Sequence, residues 1–154
     1  MIPAFLFALA GSAALAADPP PPVSIDGYPI GGIGRQALPA KGCAAYLFST
    51  GATRTLVAMA GAEAGTLRIA LDGQVRDYAR ADRVGGVQGV ATDLGFAGQM
   101  RYARAGTAAT LTMTVERRAD LAQGAIVSDA TLLVERDGKD GIIMPLAGMI
   151  GCAG

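Results

Sequence analysis

Three groups of side chains have the types and spacing to offer chemistry: a pair of cysteines, an arginine-rich run and thirteen carboxylates. Cys43 and Cys152 are the only two cysteines in the 154 residues. They form no Cys-x-x-Cys motif and lie on no helical pattern, so a redox-active pair is not indicated. An even count in an exported chain reads instead as a structural disulfide. A Cys43–Cys152 bridge would close a loop of about a hundred residues and restrict the unfolded chain by an upper figure of about 4–5 kcal/mol.

The densest charge cluster is Arg76-Asp77-Tyr78-Ala79-Arg80-Ala81-Asp82-Arg83. Arg76, Arg80 and Arg83 are the candidate binding residues, because guanidinium forks hold carboxylates and phosphates well. Asp77 and Asp82 between them offer the competing reading, a self-neutralising surface.

Several chemistries are closed by what is missing. The chain has no His, no Trp and no Asn. Without His there is no Ser-His-Asp or Cys-His arrangement, and zinc sites built on His or on four Cys are excluded. There is no Gly-x-Ser-x-Gly elbow. Gly32-Ile33-Gly34-Arg35-Gln36-Ala37 loosely matches a dinucleotide fingerprint, but no strand precedes it and no helix follows. Asp137-Gly138-Lys139-Asp140-Gly141 lacks the alternating ligands and closing Glu of a calcium loop and reads as a polar hairpin tip. No catalytic residue, metal site or cofactor is assigned. Thirteen basic and thirteen acidic side chains cancel, which leaves no electrostatic case for nucleic acid or an anionic membrane.

The elements that must position these groups are short β runs. Thr66-Leu67-Arg68-Ile69-Ala70-Leu71 alternates and ends on Asp72-Gly73, a strong hairpin signal, with residues 74–79 as the return strand. Residues 44–49, 53–60, 98–103, 108–117, 130–135 and 141–150 supply further strands. In 108–117, Leu111, Met113 and Val115 fall on the inward face, and Thr110, Thr112, Thr114 and Glu116 on the outward one. Pro145 places its strand at an edge or a bulge. The Gly-rich stretch 83–97 reads as a long loop. The spacing predicts an all-β domain, a small antiparallel sandwich or barrel of about 7–8 short strands. Residues 66–73 and 131–138 share a Thr-Leu-x-(Ile/Val)-x-x-Asp-Gly form, which reused turn chemistry explains without a duplication.

Ahead of this domain, residues 1–16 read as a signal peptide. An apolar run ends on Ala14-Leu15-Ala16, a small-x-small cleavage site, although no Lys or Arg precedes Arg35. Residues 17–42 read as a tether, with the run Pro19-Pro20-Pro21-Pro22 and clustered glycines, either disordered or laid along the domain surface. Residues 43–154 form the single β domain. The address implied is periplasmic or secreted, in a bacterial envelope, with no stable membrane insertion after cleavage. An outer-membrane barrel is disfavoured because the segments lack aromatic girdles.

The expected role is a non-enzymatic β domain that binds a protein or small ligand of the cell envelope, with the loop 83–97 and a sheet edge as working surfaces. The alternatives are an Asp/Glu-dependent hydrolase, or a small inhibitor of an envelope-targeting enzyme. Small periplasmic lysozyme inhibitors share a terminal cysteine pair and a strand ending in Asp-Gly with this chain, but their serine-glycine inhibitory loop is absent, so membership is not assigned.

Overall fold

A computed structural model describes residues 15–82 and 94–154. Most of the expected signal segment 1–16, Arg83 and most of the expected loop 83–97 lie outside the described residues. The described chain is all β. Its strands are β1 (Ile30–Gly31), β2 (Cys43–Ser49), β3 (Leu56–Gly61), β4 (Thr66–Leu71), β5 (Gln74–Arg80), β6 (Gln99–Arg104), β7 (Thr107–Glu116), β8 (Gly124–Arg136) and β9 (Ile142–Cys152).

All pairings are antiparallel. The order runs β4-β3-β2-β9-β8-β7-β6-β5, and β5 pairs back to β4, so eight strands close into a barrel. β1 is an extra strand on the far half of β4, where Ile30 pairs Leu71 and Gly31 pairs Ala70. Closure removes the open sheet edge anticipated as a working surface, because every barrel strand has a partner on each side.

Alternation explains the interior. Leu67 and Ile69 on β4, Met100 and Tyr102 on β6, Ala109 and Leu111 on β7, and Leu132 and Val134 on β8 are all fully buried. Arg101, Thr112 and Thr114 on the same strands are exposed. On these strands the pattern is apolar inside and polar outside, the inverse of a membrane-spanning barrel. Phe96, from the part of the Gly-rich stretch that is described, is also fully buried in this core.

The Asp72-Gly73 hairpin forms as its residues dictate, with both at positive φ (50° and 77°). The turn after β8 differs, since only Gly138 has positive φ there, so the two similar stretches do not share one turn geometry. β8 begins at Gly124, six residues before the expected strand at 130. Its inward residues switch from Ala125 and Val127 to Ala130, Leu132 and Val134 across the exposed pair Ser128-Asp129. A bulge there shifts the register against both β7 and β9 and breaks the period-two pattern. Pro145 sits in β9, an interior strand, but β9's pairing with β2 begins only at Leu146, so the proline occupies a local edge.

Cys43 and Cys152 are bonded, 109 residues apart in sequence, and are directly opposed on β2 and β9 with Cα atoms 4.0 Å apart. The bridge fixes the start of the first barrel strand to the end of the last.

Candidate functional site

Of the three candidate arginines, Arg76 and Arg80 are described and Arg83 lies outside the described residues. Arg76, Tyr78 and Arg80 share one face of β5, and Tyr78 between them is buried. The arginines are four residues apart, about 13 Å along a strand, and do not converge. Arg76 is exposed and donates to the Gln74 carboxamide oxygen. The Arg80 side chain is only 8% exposed. It donates to Asp82 at 2.5 Å and lies 5.6 Å from the centroid of the Tyr102 ring on β6. Asp82 also accepts the Arg101 backbone N–H at 3.1 Å. Burial works to raise the Asp82 pKa, but these hydrogen bonds outweigh it and hold the carboxyl below its ordinary value.

The described carboxylates are widely engaged by arginine. Arg68 donates to Asp77 through two nitrogens, at 2.7 and 2.9 Å. Arg136 reaches Asp72 at 2.8 Å, Arg118 reaches Asp120 at 2.9 Å, and Arg35 lies 3.4 Å from Asp18. Among the described residues no group of three or more Cys, Asp or Glu could hold a metal ion.

What the fold assembles instead is an apolar groove on the outside of the barrel. Tyr46 and Phe48 on β2 point outward, opposite the inward Ala45 and Leu47. Met149 and Ala147 on β9 are their register partners. The outer face here is therefore apolar where β6 and β7 carry polar groups. Part of it is covered by the N-terminal segment. Ile33 N–H donates to the Leu56 carbonyl at 2.9 Å, the Tyr46 hydroxyl to the Ala37 carbonyl at 2.8 Å, and Arg68 Nη1 to Gln36 Oε1 at 2.8 Å. Burial pushes the Tyr46 phenol pKa up, so it stays a neutral donor. Ile25, Ile30 and Ile33 are buried. These contacts and the β1–β4 pairing place residues 25–37 against the barrel.

The proline run forms one wall of the groove. It approaches so closely because of Gly31-Gly32. Gly32 N–H donates to the Pro22 carbonyl at 2.8 Å. A Cβ on Gly31 would sit 2.5 Å from that carbonyl oxygen, and one on Gly32 would sit 3.0 Å from Pro21 Cβ and 2.8 Å from Thr55 Cγ2. Pro19–Pro22 thus face Tyr46, Phe48, Leu56 and Met149 across a cavity of about 630 Å³, with Leu38, Arg35 and Arg54 at the rim. Leu38 and Met149 are 65% and 53% exposed and lie in one contiguous apolar lining, the kind of patch that marks an interaction surface.

A second cavity of about 540 Å³ adjoins it. It runs past Ala147 and Gly148 to Ile126, Val127 and Ser128 at the β8 bulge, and Phe48, Arg54 and Met149 line both. Gly148 keeps β9 close to β2 on this floor, since a Cβ there would lie 1.9 Å from the Tyr46 carbonyl oxygen.

No protein-family model, curated protein or solved structure matches this chain. None of the groove residues is singled out by the sequence as a binding residue: Pro19–Pro22 read as part of a tether, and Tyr46, Phe48, Arg54 and Met149 have no assigned role there. A signal existed: residues 44–48 and 146–150 contain no charged residue on either parity, the pattern of strands covered on both faces.

Proposed function

We propose that this protein is an exported binding module of the bacterial cell envelope, periplasmic or secreted, that takes a partner into the outer groove between the proline wall and strands β2 and β9. The observation that carries the reading is the groove itself, a largely apolar cavity of about 630 Å³ left open beside a barrel whose interior is already packed. Eight-stranded barrels that carry a ligand inside need an empty lumen. Here Leu47, Met100, Tyr102, Leu132, Met144 and Leu146 fill it. The disulfide supports an oxidising address, and no described helix is long and apolar enough to cross a membrane. Binding rather than catalysis is favoured because the groove is lined mainly by apolar side chains, with two arginines, Gln36 and a few Ser and Thr hydroxyls, and with no carboxylate among its walls. An envelope-targeting enzyme, inhibited by engagement at this groove, is one partner class that fits.

A photo-crosslinking residue placed at Met149, and separately at Thr112 on the polar face of β7, tests this. Expressed with its signal segment, the Met149 form is expected to give a discrete adduct that the Thr112 form does not. Equal labelling at the two positions would remove the groove from consideration.

A further inference from the structure

The groove carries one uncompensated charge. Arg35 at the rim lies against Asp18, and the nearby Arg68 is engaged by Asp77. Arg54 is exposed and has no carboxylate partner among the described residues. Its position is built. Ser49, the one buried polar residue of the described core, is 1% exposed. Its hydroxyl donates to the Thr53 carbonyl at 2.7 Å and accepts the Thr55 N–H at 3.0 Å, while Ser49 N–H donates to the Thr55 carbonyl at 2.9 Å. These three bonds pin the residues on both sides of Arg54. Arg54 thereby stands at the junction of the two cavities, both of which it lines with Phe48 and Met149.

We propose that Arg54 selects the occupant's charge, and that the occupant is an extended peptide segment carrying an acidic side chain between two apolar ones. The inference rests on the groove being the binding surface. The arrangement of charge decides the class of ligand. A single-headed amphiphile such as a fatty acid carries its anion at one end, so pairing with Arg54 would leave one cavity unfilled. A peptide with a mid-segment Asp or Glu places apolar side chains in both cavities while its carboxylate meets the guanidinium. No acidic residue lines either cavity to oppose it.

The test is selection from a phage-displayed random peptide library on the oxidised protein and on its Arg54→Glu and Arg54→Gln variants. The native protein is expected to enrich peptides with Asp or Glu flanked by apolar residues, and Arg54→Glu to enrich Lys or Arg at that place. Replacing the acid of a selected synthetic peptide by its amide should weaken binding about two- to fivefold on the native protein and leave Arg54→Gln unchanged. Arg54→Gln keeps the test decisive if the charge-reversed variant fails to fold. Apolar peptides with no acidic preference would overturn the inference and leave the groove reading standing. Binding of dodecanoate without any peptide would do the same, in favour of an amphiphile. Peptides that bind a Met149→Glu variant as tightly as the native chain would overturn it too, because they lie elsewhere. If neither peptide nor dodecanoate binds, both readings fall.

Discussion

At the scale of single residues, the arginines divide by their neighbours. Arg80, in a run that also holds Asp77 and Asp82, is committed to Asp82 and Tyr102, whereas Arg54, with no acidic neighbour in sequence, has no carboxylate partner among the described residues. Arg80→Ala is expected to destabilise the fold by about 1–3 kcal/mol, because Asp82 loses the partner that offsets its desolvation. A denaturant midpoint equal to that of the native chain would contradict this. Arg68 and Asp77 give a pH dependence. The hydrogen bonds from Arg68 hold the Asp77 carboxyl below its ordinary range, against a desolvation effect that works the other way. A depressed folded-state pKa contributes stability that is complete above the unfolded value of about 3.9 and is lost as pH falls through the folded value. Both side chains are more than a third exposed, so the contribution is under about 1 kcal/mol. Urea midpoints measured between about pH 5 and pH 2 should fall less steeply for Asp77→Asn than for the native protein. Gly148→Ala is expected to cost about 1–3 kcal/mol or more, since the new methyl would meet a backbone oxygen that has no side-chain freedom to yield.

At the scale of elements, the pairings are unequal. β7–β8 and β8–β9 are long ladders, whereas β5–β6 consists of two paired positions, Ala79 with Ala103 and Arg80 with Tyr102. That seam closes the barrel. It is reinforced by the Ala81 N–H donating to the Arg101 carbonyl at 2.8 Å, by Asp82 on the Arg101 N–H, and by Arg80 over Tyr102. Amide hydrogen exchange should therefore be fastest among the barrel strands at β5 and β6, and faster still in Arg80→Ala. Uniform protection around the barrel would refute this. The strand assignments show how far period-two alternation reads. β4 appears at its observed limits and its hairpin with the right turn, because Leu67, Ile69 and Asp72-Gly73 are local signals. β8 was legible only from residue 130, because the bulge at Ser128-Asp129 moves the inward set from odd to even positions.

At the scale of the whole molecule, the disulfide joins the ends of a circuit of strands rather than neighbours in sequence. Replacing both cysteines by serine should lower stability by as much as about 4–5 kcal/mol and raise hydrogen exchange first at the Cys43 end of β2 and the Cys152 end of β9. Unchanged thermal unfolding would show that the β2–β9 ladder holds that seam unaided. The N-terminal segment belongs to this scale as well. Buried Ile25, Ile30 and Ile33, with β1 on β4, tie it to the barrel, so the proline wall of the groove is set by contacts made well beyond the prolines.

The sequence by itself determined the all-β class, most strand positions, the Asp72-Gly73 turn and the cysteine pairing, because alternation, turn chemistry and an even cysteine count act over short range or by elimination. Tertiary structure alone decided that the sheet closes as a barrel, that Arg80 is a seam contact, and that Pro19–Pro22, Phe48, Arg54 and Met149 meet in one groove. Those outcomes depend on which strands become neighbours and on how two glycines let a distant segment approach. Such contacts join residues up to 130 positions apart, and no local pattern encodes them.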